Sequence, residues 1–521
     1  MGKFLNSIQY DNAFTFALND NYFVDKSGLI SAFNVLFRTS NRFVCVTRPR
    51  RFGKTINATM LASYYSNTLD TRNIFDKLKI SNAPSYLEHL NKHNVIYISF
   101  NTNINKFKTY DDYINYFESR LMKDLKDFYP NLEEDEFVLD MFEEIYQKTK
   151  QGFIFIIDEW DAIFENERFS QDDRKNFLTT LTNLLKDKPY VELAYITGIL
   201  PISKYSRSTS LNNFKECDAI SDGVFEDYFG FLESEVEALC KKQNKLSMQE
   251  LRDWYNGYYT SDGRRVFNPR SVVYALNDGI CKSYWTGTGK KREILPYISS
   301  NVAGLKDDII SMLAGNPVKI RLSGFDAESD ADVSKNSTLS ALTILGYLSY
   351  HNMELSIPNK ELLLEFKDTL ADSNINGLSS IVAESDAMLK ATLRQDTETM
   401  AKLLEDAHAS YLSYFDYNTE NALACIITLI YLSAKDTYNI SREDVAGTGR
   451  ADFIFYPLNP RDTAFIIELK VDDTPESAIQ QILDRKYDAK LKPYTGKKLA
   501  IGISYYKDDK NKKHSIKIQE L

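Results

Sequence analysis

Gly53, Lys54 and Thr55 form a set suited to holding phosphate. The glycine lets backbone N–H groups approach phosphate oxygens. The lysine places a point charge on β- and γ-phosphates, and the threonine hydroxyl is a ligand for Mg²⁺. The tripeptide closes the segment FVCVTRPRRFGKT, which starts as a buried strand, and the following INATMLASYYS has helical spacing. A phosphate-binding loop of the form GxxxxGK[ST] sits between a strand and a helix, so the context fits. Its first glycine is replaced here by Arg48. Arg51, Phe52, Gly53, Lys54 and Thr55 are the expected nucleotide-binding positions, with Arg48 and Arg50 adding positive charge. Taken alone, a Gly-Lys-Thr turn also fits a solvated basic turn.

The segment GFIFIIDEWDAIF supplies the complementary acid. Apolar residues from Phe153 to Ile157 run directly into Asp158 and Glu159. In this pattern Asp158 binds Mg²⁺ and Glu159 polarises the attacking water as general base, with Asp161 available to support either. A strand followed by an acidic helix start is the structural alternative. A third apolar strand, VELAYITG, ends near Thr197, a position from which a γ-phosphate can be sensed; a turn or helix-start role for Thr197 is equally open.

A second constellation lies near the C-terminus. GRADFIFYPLNPRDTAFIIELKV reads as a β-hairpin with strands Asp452–Tyr456 and Ala464–Val471. Residues i and i+2 share a strand face, so Glu468 and Lys470 point the same way, and Asp452 opens the neighbouring strand. Two carboxylates and an ammonium on one sheet edge suit phosphodiester hydrolysis. Asp452 and Glu468 would hold Mg²⁺, and Lys470 would orient or help deprotonate water. An exposed cross-strand ion pair has the same spacing. The helical segment AIQQILDRKYDAKL, expected over Glu476–Lys490, carries Gln481, Arg485 and Lys486 as candidate phosphate or nucleic-acid contacts, and Glu420 and Glu443 are further nearby carboxylates.

The elements that must position these groups divide into three textures over 521 residues. Residues 1–225 alternate short apolar strands (Phe43–Thr47, Val95–Phe100, Phe153–Asp158, Val191–Thr197) with helical patterns, which predicts a parallel sheet covered by helices. Residues 226–400 are mainly helical and suggest a lid and connecting region. Residues 401–521 return to α/β. The fold class expected is α/β: a P-loop NTPase sheet, a helical lid or middle region, and a C-terminal α/β domain.

Together the segments resemble a bacterial family that joins an AAA-ATPase-like domain to a C-terminal PD-(D/E)XK nuclease-superfamily domain. The residues that carry the resemblance are FVDKSGLI, TRPRRFGKT, IIDEWDAIF, TGILPISK, LNNF, WYNGY, FNPRSV, GRADFIF, IIELKV and AIQQI, in that order along the chain. The family also lacks the first loop glycine. The resemblance implies a P-loop ATPase core, a lid bearing WYNGY, and a restriction-endonuclease-like C-terminal fold. It implies an ATPase coupled to a metal-dependent domain that binds and is able to cleave nucleic acid, or alternatively an ATP-dependent switch that binds nucleic acid or protein without cutting. ATP and Mg²⁺ are the expected cofactors, and nucleic acid and a homo-oligomer the expected partners. Arg207 is the candidate for an arginine supplied to a neighbour.

Composition narrows the rest. A net charge of −10 argues against a non-specific coat on nucleic acid but permits a local basic groove. Five scattered cysteines without a CxxC pair argue against structural zinc and fit a reducing compartment. No apolar run reaches the ~18 residues of a membrane span, and the start lacks a signal pattern, so a cytoplasmic protein with no membrane partner is expected. His89 and His93, at i and i+4, read as a solvated helix face, His351, His408 and His514 as isolated, and the basic KDDKNKKHSIK as a solvated loop.

Overall fold

A computed structural model describes residues 2–133, 137–205, 211–218, 223–285, 294–298, 302–322, 334–371, 379–411, 420–506 and 513–521. Arg207 lies outside them. The chain forms two compact units, Met1–Tyr284 with Arg321–Met353, and Trp285–Ile320 with Glu354–Leu521. The zone 226–400, expected as one region, is therefore shared between the two units.

Unit one is built on β1 (Phe43–Thr47), β2 (Asn94–Ser99), β3 (Phe153–Asp158), β4 (Val191–Gly198) and β5 (Lys215–Cys217). Their order is β2-β3-β4-β1-β5, with every pairing parallel. All residues of β1, β3 and β4 are buried. That is the signature of strands covered on both faces, which read as unbroken apolar runs. The expected strands are present within a residue at each end. β5 was not expected, because Lys-Glu-Cys has no apolar run to announce it. The helix Lys54–Tyr65 packs Ala58, Leu61, Ala62 and Tyr65 into the core under the sheet.

The same unit carries a small antiparallel sheet of β6 (Phe231–Leu232), β7 (Tyr258–Tyr259) and β8 (Arg265–Phe267), in the order β6-β8-β7. The FNPRS segment after it is a helix start. The Asn268 side chain accepts from the N–H groups of Arg270 and Ser271, and Pro269 takes the first turn of Pro269–Asp278. β10 (Ser349–His351) belongs to this unit, while β9 (Val318–Lys319) pairs with β11 (Glu354–Ser356) in unit two.

The C-terminal sheet of unit two has the order β12-β13-β14-β15-β16, from β12 (Tyr438–Ala446), β13 (Gly449–Pro457), β14 (Ala464–Val471), β15 (Lys498–Tyr505) and β16 (His514–Glu520). β14 and β15 are parallel and the other pairs antiparallel. The expected hairpin is β13–β14. Residues 514–517, expected within a solvated loop, belong instead to the edge strand β16, which is tied to β15 along its length. The helix expected to reach Lys490 stops at Asp484. Lys486 then takes a left-handed conformation (φ 56°) and leads into a 3₁₀ turn at Tyr487–Leu491. Among the described residues no helix is long and apolar enough to cross a membrane.

Candidate functional site

The loop from β1 to the helix Lys54–Tyr65 is shaped by two left-handed residues. Arg51 has φ 73° and Gly53 has φ 86°. A Cβ on Gly53 would meet nothing within 4 Å, so backbone conformation rather than crowding selects glycine there. Successive turns of this kind aim backbone N–H groups inward and make an anion-binding concavity at a helix N-terminus. The Lys54 ammonium lies inside the loop and donates to the carbonyls of Arg48 and Pro49, each at 2.8 Å. Burial pushes it down to about 8, against the pull of the Asp161, Asp158 and Glu159 carboxylates.

Arg48, in place of the first loop glycine, turns away from the concavity. It is buried, and its guanidinium donates to the carbonyls of Thr47 (2.9 Å) and Cys217 (3.1 Å). It also lies 5.7 Å from the centre of the Phe229 ring. It therefore stitches the ends of β1 and β5 together. Arg50 pairs with Glu165 at 2.7 Å, and Arg51 donates to the Tyr284 carbonyl at 3.2 Å. Phe52 is buried against Tyr258, with ring centres 5.0 Å apart and the planes nearly perpendicular.

The strand end of β3 faces this loop. Asp158 is buried, and its carboxylate accepts from the Thr55 hydroxyl and, at 3.3 Å, from the Tyr97 hydroxyl. Burial, with Glu159 beside it, pushes the Asp158 carboxyl up to about 6. Glu159 itself is half-buried at φ 48°, a strained position for a residue with a side chain. Thr55 and Asp158 thus meet as a hydroxyl–carboxylate pair beside Lys54. This is the donor set that a Mg²⁺ bridging β- and γ-phosphate requires, so the residues present fit nucleotide with Mg²⁺.

Two residues do other work than expected. The Thr197 side chain is fully buried and its hydroxyl donates to the Val46 carbonyl at 2.8 Å. It binds β4 to β1, while its Cα is paired with that of Asp158 on β3. Asp161, expected only as support, is a clamp. One of its oxygens accepts from the N–H groups of Ile199 (2.8 Å) and Leu200 (2.7 Å), and the Trp160 indole donates to the Leu200 carbonyl at 3.0 Å. Burial pushes the Asp161 carboxyl up to about 6.

In unit two, Asp452, Glu468, Lys470 and Gln481 come together. One Asp452 oxygen accepts from the Leu469 N–H at 2.7 Å, and the Asp452 N–H lies 3.4 Å from Glu468 Oε2. The Gln481 amide bridges the other two side chains: its nitrogen donates to Glu468 and its oxygen accepts from Lys470 at 2.7 Å. The Lys470 ammonium stays 3.8 Å from Glu468. The helix Pro475–Asp484 comes near enough for this because β15 carries Gly502 beneath it, where a Cβ would lie 2.1 Å from the Pro475 carbonyl. Gln481, expected as a phosphate contact, is thus spent on the acid–lysine pair. Arg485 and Lys486 lie exposed beyond the helix end, and the Arg485 carbonyl accepts from the Thr448 N–H at 3.0 Å. Glu443 pairs with Arg450 at 4.0 Å, and the side chain of Glu420 lies outside the described residues. Among the described residues no group of three or more His, Cys, Asp or Glu gathers as a metal site. Two carboxylates suffice for a Mg²⁺ that completes its shell with water and substrate phosphate, so Asp452 and Glu468 fit that ion.

Two family models match these two constellations. One is AAA-ATPase-like, described as a predicted AAA-ATPase, over residues 11–207; the other is the PD-(D/E)XK nuclease superfamily, over residues 418–515. The chain carries an AAA-ATPase-like domain followed by a PD-(D/E)XK nuclease-superfamily domain. No curated protein matches it. Among solved structures it is similar to the ORC2 protein of Aeropyrum pernix in its ADPNP-ADP complexes, at 12% identity, over 68% of this chain and 96% of that chain, with a TM-score of 0.31.

The histidines correct the sequence reading in both units. In the AAA-ATPase-like domain the helix Tyr86–His89 ends at His89, so His89 and His93 do not share an exposed helix face. Their rings stack, with nitrogens 3.0 Å apart, and pack against Phe37 and Tyr65. Burial, then the neighbouring His93, holds His89 below its ordinary value. In unit two His408 and His514 are not isolated. They are buried, with ring nitrogens 3.1 Å apart. Pairs separated by 106 residues leave no local sequence signal.

Proposed function

We propose that the chain binds and hydrolyses ATP with Mg²⁺ at Lys54, Thr55 and Asp158, and uses that cycle to control a metal-dependent cut in nucleic acid at Asp452, Glu468 and Lys470. Arg51, Phe52 and Gly53 present backbone N–H groups to the phosphates. Glu159 orients the attacking water as general base. At the second site, Asp452 and Glu468 hold a Mg²⁺ that supplies charge for the scissile phosphate, and Lys470 steers the attacking water. Arg485 and Lys486, exposed beside the β12–β13 turn at Gly447 and Gly449, contact the nucleic-acid backbone. A homo-oligomer belongs to this reading, because ATPases of this kind draw an arginine from a neighbour. Five free thiols accord with a reducing, cytoplasmic setting.

The observation that carries the reading is the convergence of two carboxylates and a lysine from adjacent strands, Lys470 being held at 2.7 Å by the Gln481 amide and paired with Glu468 at 3.8 Å. The test is incubation with Mg²⁺ or Mn²⁺, ATP, and plasmid or single-stranded substrate. The proposal expects cleavage that depends on ATP and disappears in Asp452→Ala and Lys470→Ala. ATP-dependent binding without cleavage by the unaltered chain would replace it with a non-cutting switch.

A further inference from the structure

Residues 4–6 run along the outer side of β2, the edge strand of the parallel sheet. The Tyr97 N–H donates to the Phe4 carbonyl at 3.0 Å, and the Asn6 N–H to the Val95 carbonyl at 2.8 Å. The Asn6 side chain accepts in return from the Val95 N–H at 2.8 Å. Asp124 anchors this segment, its carboxylate accepting from the N–H groups of Phe4 (2.6 Å) and Leu5 (3.1 Å). The Tyr97 ring packs against the Tyr10 ring, with centres 5.8 Å apart. Tyr97 is therefore fixed both at its backbone and at its ring.

The register of β2 against β3 decides where that fixed side chain points. Ser99 stands opposite Asp158 and Tyr97 opposite Ile156. Tyr97 and Asp158 thus share a face of the sheet, one strand apart and two residues out of step. A tyrosine spans that offset, and its hydroxyl reaches Asp158 Oδ2 at 3.3 Å. Burial, then the Asp158 carboxylate itself, holds the phenol well above its ordinary range, so it stays protonated and donates.

Asp158 accepts from the Tyr97 hydroxyl, from the Thr55 hydroxyl and, through Oδ1, from the Glu159 N–H at 3.1 Å. In a loaded nucleotide site the loop threonine turns its oxygen to Mg²⁺. Of these three donors, Tyr97 is then the side chain that still holds the carboxylate. Partners of this kind fix the orientation of a metal ligand, and losing one typically costs about 10–100-fold in metal affinity.

We propose that Tyr97 is a positioning residue of the nucleotide site, its hydroxyl keeping Asp158 in the orientation that binds Mg²⁺ once Thr55 has turned to the metal. The proposal rests on the reading of Lys54, Thr55 and Asp158 as an ATP–Mg²⁺ site. It adds a residue from a strand that carries no part of the phosphate loop.

The test is a calorimetric titration of ATP into the full-length chain, with and without Mg²⁺. It compares the unaltered chain with Tyr97→Phe, Asp158→Asn and the double variant. Tyr97→Phe removes the hydroxyl and keeps the ring. Its metal-free ATP affinity should stay as it was, while the gain on adding Mg²⁺ shrinks by about tenfold or vanishes. In the Asp158→Asn background, Tyr97→Phe should cost nothing further, because it acts through Asp158. A full Mg²⁺ gain in Tyr97→Phe would overturn the proposal. So would an equal loss with and without Mg²⁺, the mark of a merely structural role, or a further loss in the double variant. An unaltered chain whose ATP binding gains nothing from Mg²⁺, or that binds no ATP, would overturn the reading of the site itself and this proposal with it.

Discussion

Each of the two candidate phosphate sites is centred on a lysine, and the two lysines are held by different means. Lys54 donates to two peptide carbonyls of its own loop. Lys470 donates to the side-chain oxygen of Gln481, which stands on a separate helix. In both cases a neutral oxygen holds the ammonium, and Lys470 also pairs with Glu468 at 3.8 Å. The first arrangement is made by backbone conformation, through left-handed Arg51 and Gly53. The second depends on helix position and a close approach over Gly502. A site held by backbone should tolerate changes around it and fail when its own lysine is lost. A site held by a side chain on a separate helix should be adjustable from that helix.

The largest effect expected is at the C-terminal site. Asp452→Asn should lower metal-dependent cleavage by roughly 10²–10⁴-fold while nucleotide affinity stays as it was, measured on the same preparation. Unchanged cleavage would remove Asp452 from the chemistry. Next, Lys54→Ala should weaken ATP binding by roughly 10–100-fold, the worth of a charge-assisted hydrogen bond or two, with metal binding at Asp452 and Glu468 unaffected.

Arg48→Gly, which restores the ordinary phosphate-loop residue, should weaken the protein. It removes a buried guanidinium bonded to two carbonyls, at a cost of about 2–4 kcal/mol. A lower midpoint of thermal unfolding together with weaker ATP binding is expected, and tighter ATP binding would contradict the stitching role of Arg48. Gln481→Met should weaken Mn²⁺ binding, read by calorimetry, by about tenfold, as expected when a group that orients a metal ligand is lost. An unchanged affinity would erase the contrast between the two lysines.

The smallest effect is a pH dependence. Asp158 is pushed up to about 6 by burial and its acidic neighbour, so it takes up a proton as pH falls through that value and can no longer hold Mg²⁺. The gain in ATP affinity on adding Mg²⁺ should therefore be full above pH 7 and fade toward pH 5. A gain that is flat across this window would place the metal elsewhere.

The first site was legible because its parts are local. Gly53-Lys54-Thr55 and the apolar run into Asp158 each announce a strand end, and parallel strands buried on both faces write their positions as unbroken apolar runs. What was not legible depended on side-chain direction. Thr197 and Arg48 stand in the right segments but point into neighbouring strands, a choice that no single segment encodes. At the second site the i, i+2 spacing of Glu468 and Lys470 was readable. The part played by Gln481 was not, since it depends on where the next helix settles over the sheet. The early stop of that helix turned on Lys486 adopting a left-handed conformation, for which lysine gives no signal.

The Asp161 clamp makes β3 and β4 mechanically one piece at the nucleotide end. Only Glu159 and Trp160 separate Asp161 from Asp158, and Asp161 sits within the short 3₁₀ turn Trp160–Ile163. A pull on Asp158 is therefore transmitted as a strut transmits load, through the carboxylate to the amides of Ile199 and Leu200. Those two amides are gauges of the chemical state at the loop. Their hydrogen exchange should slow when the triphosphate engages and quicken when the γ-phosphate leaves.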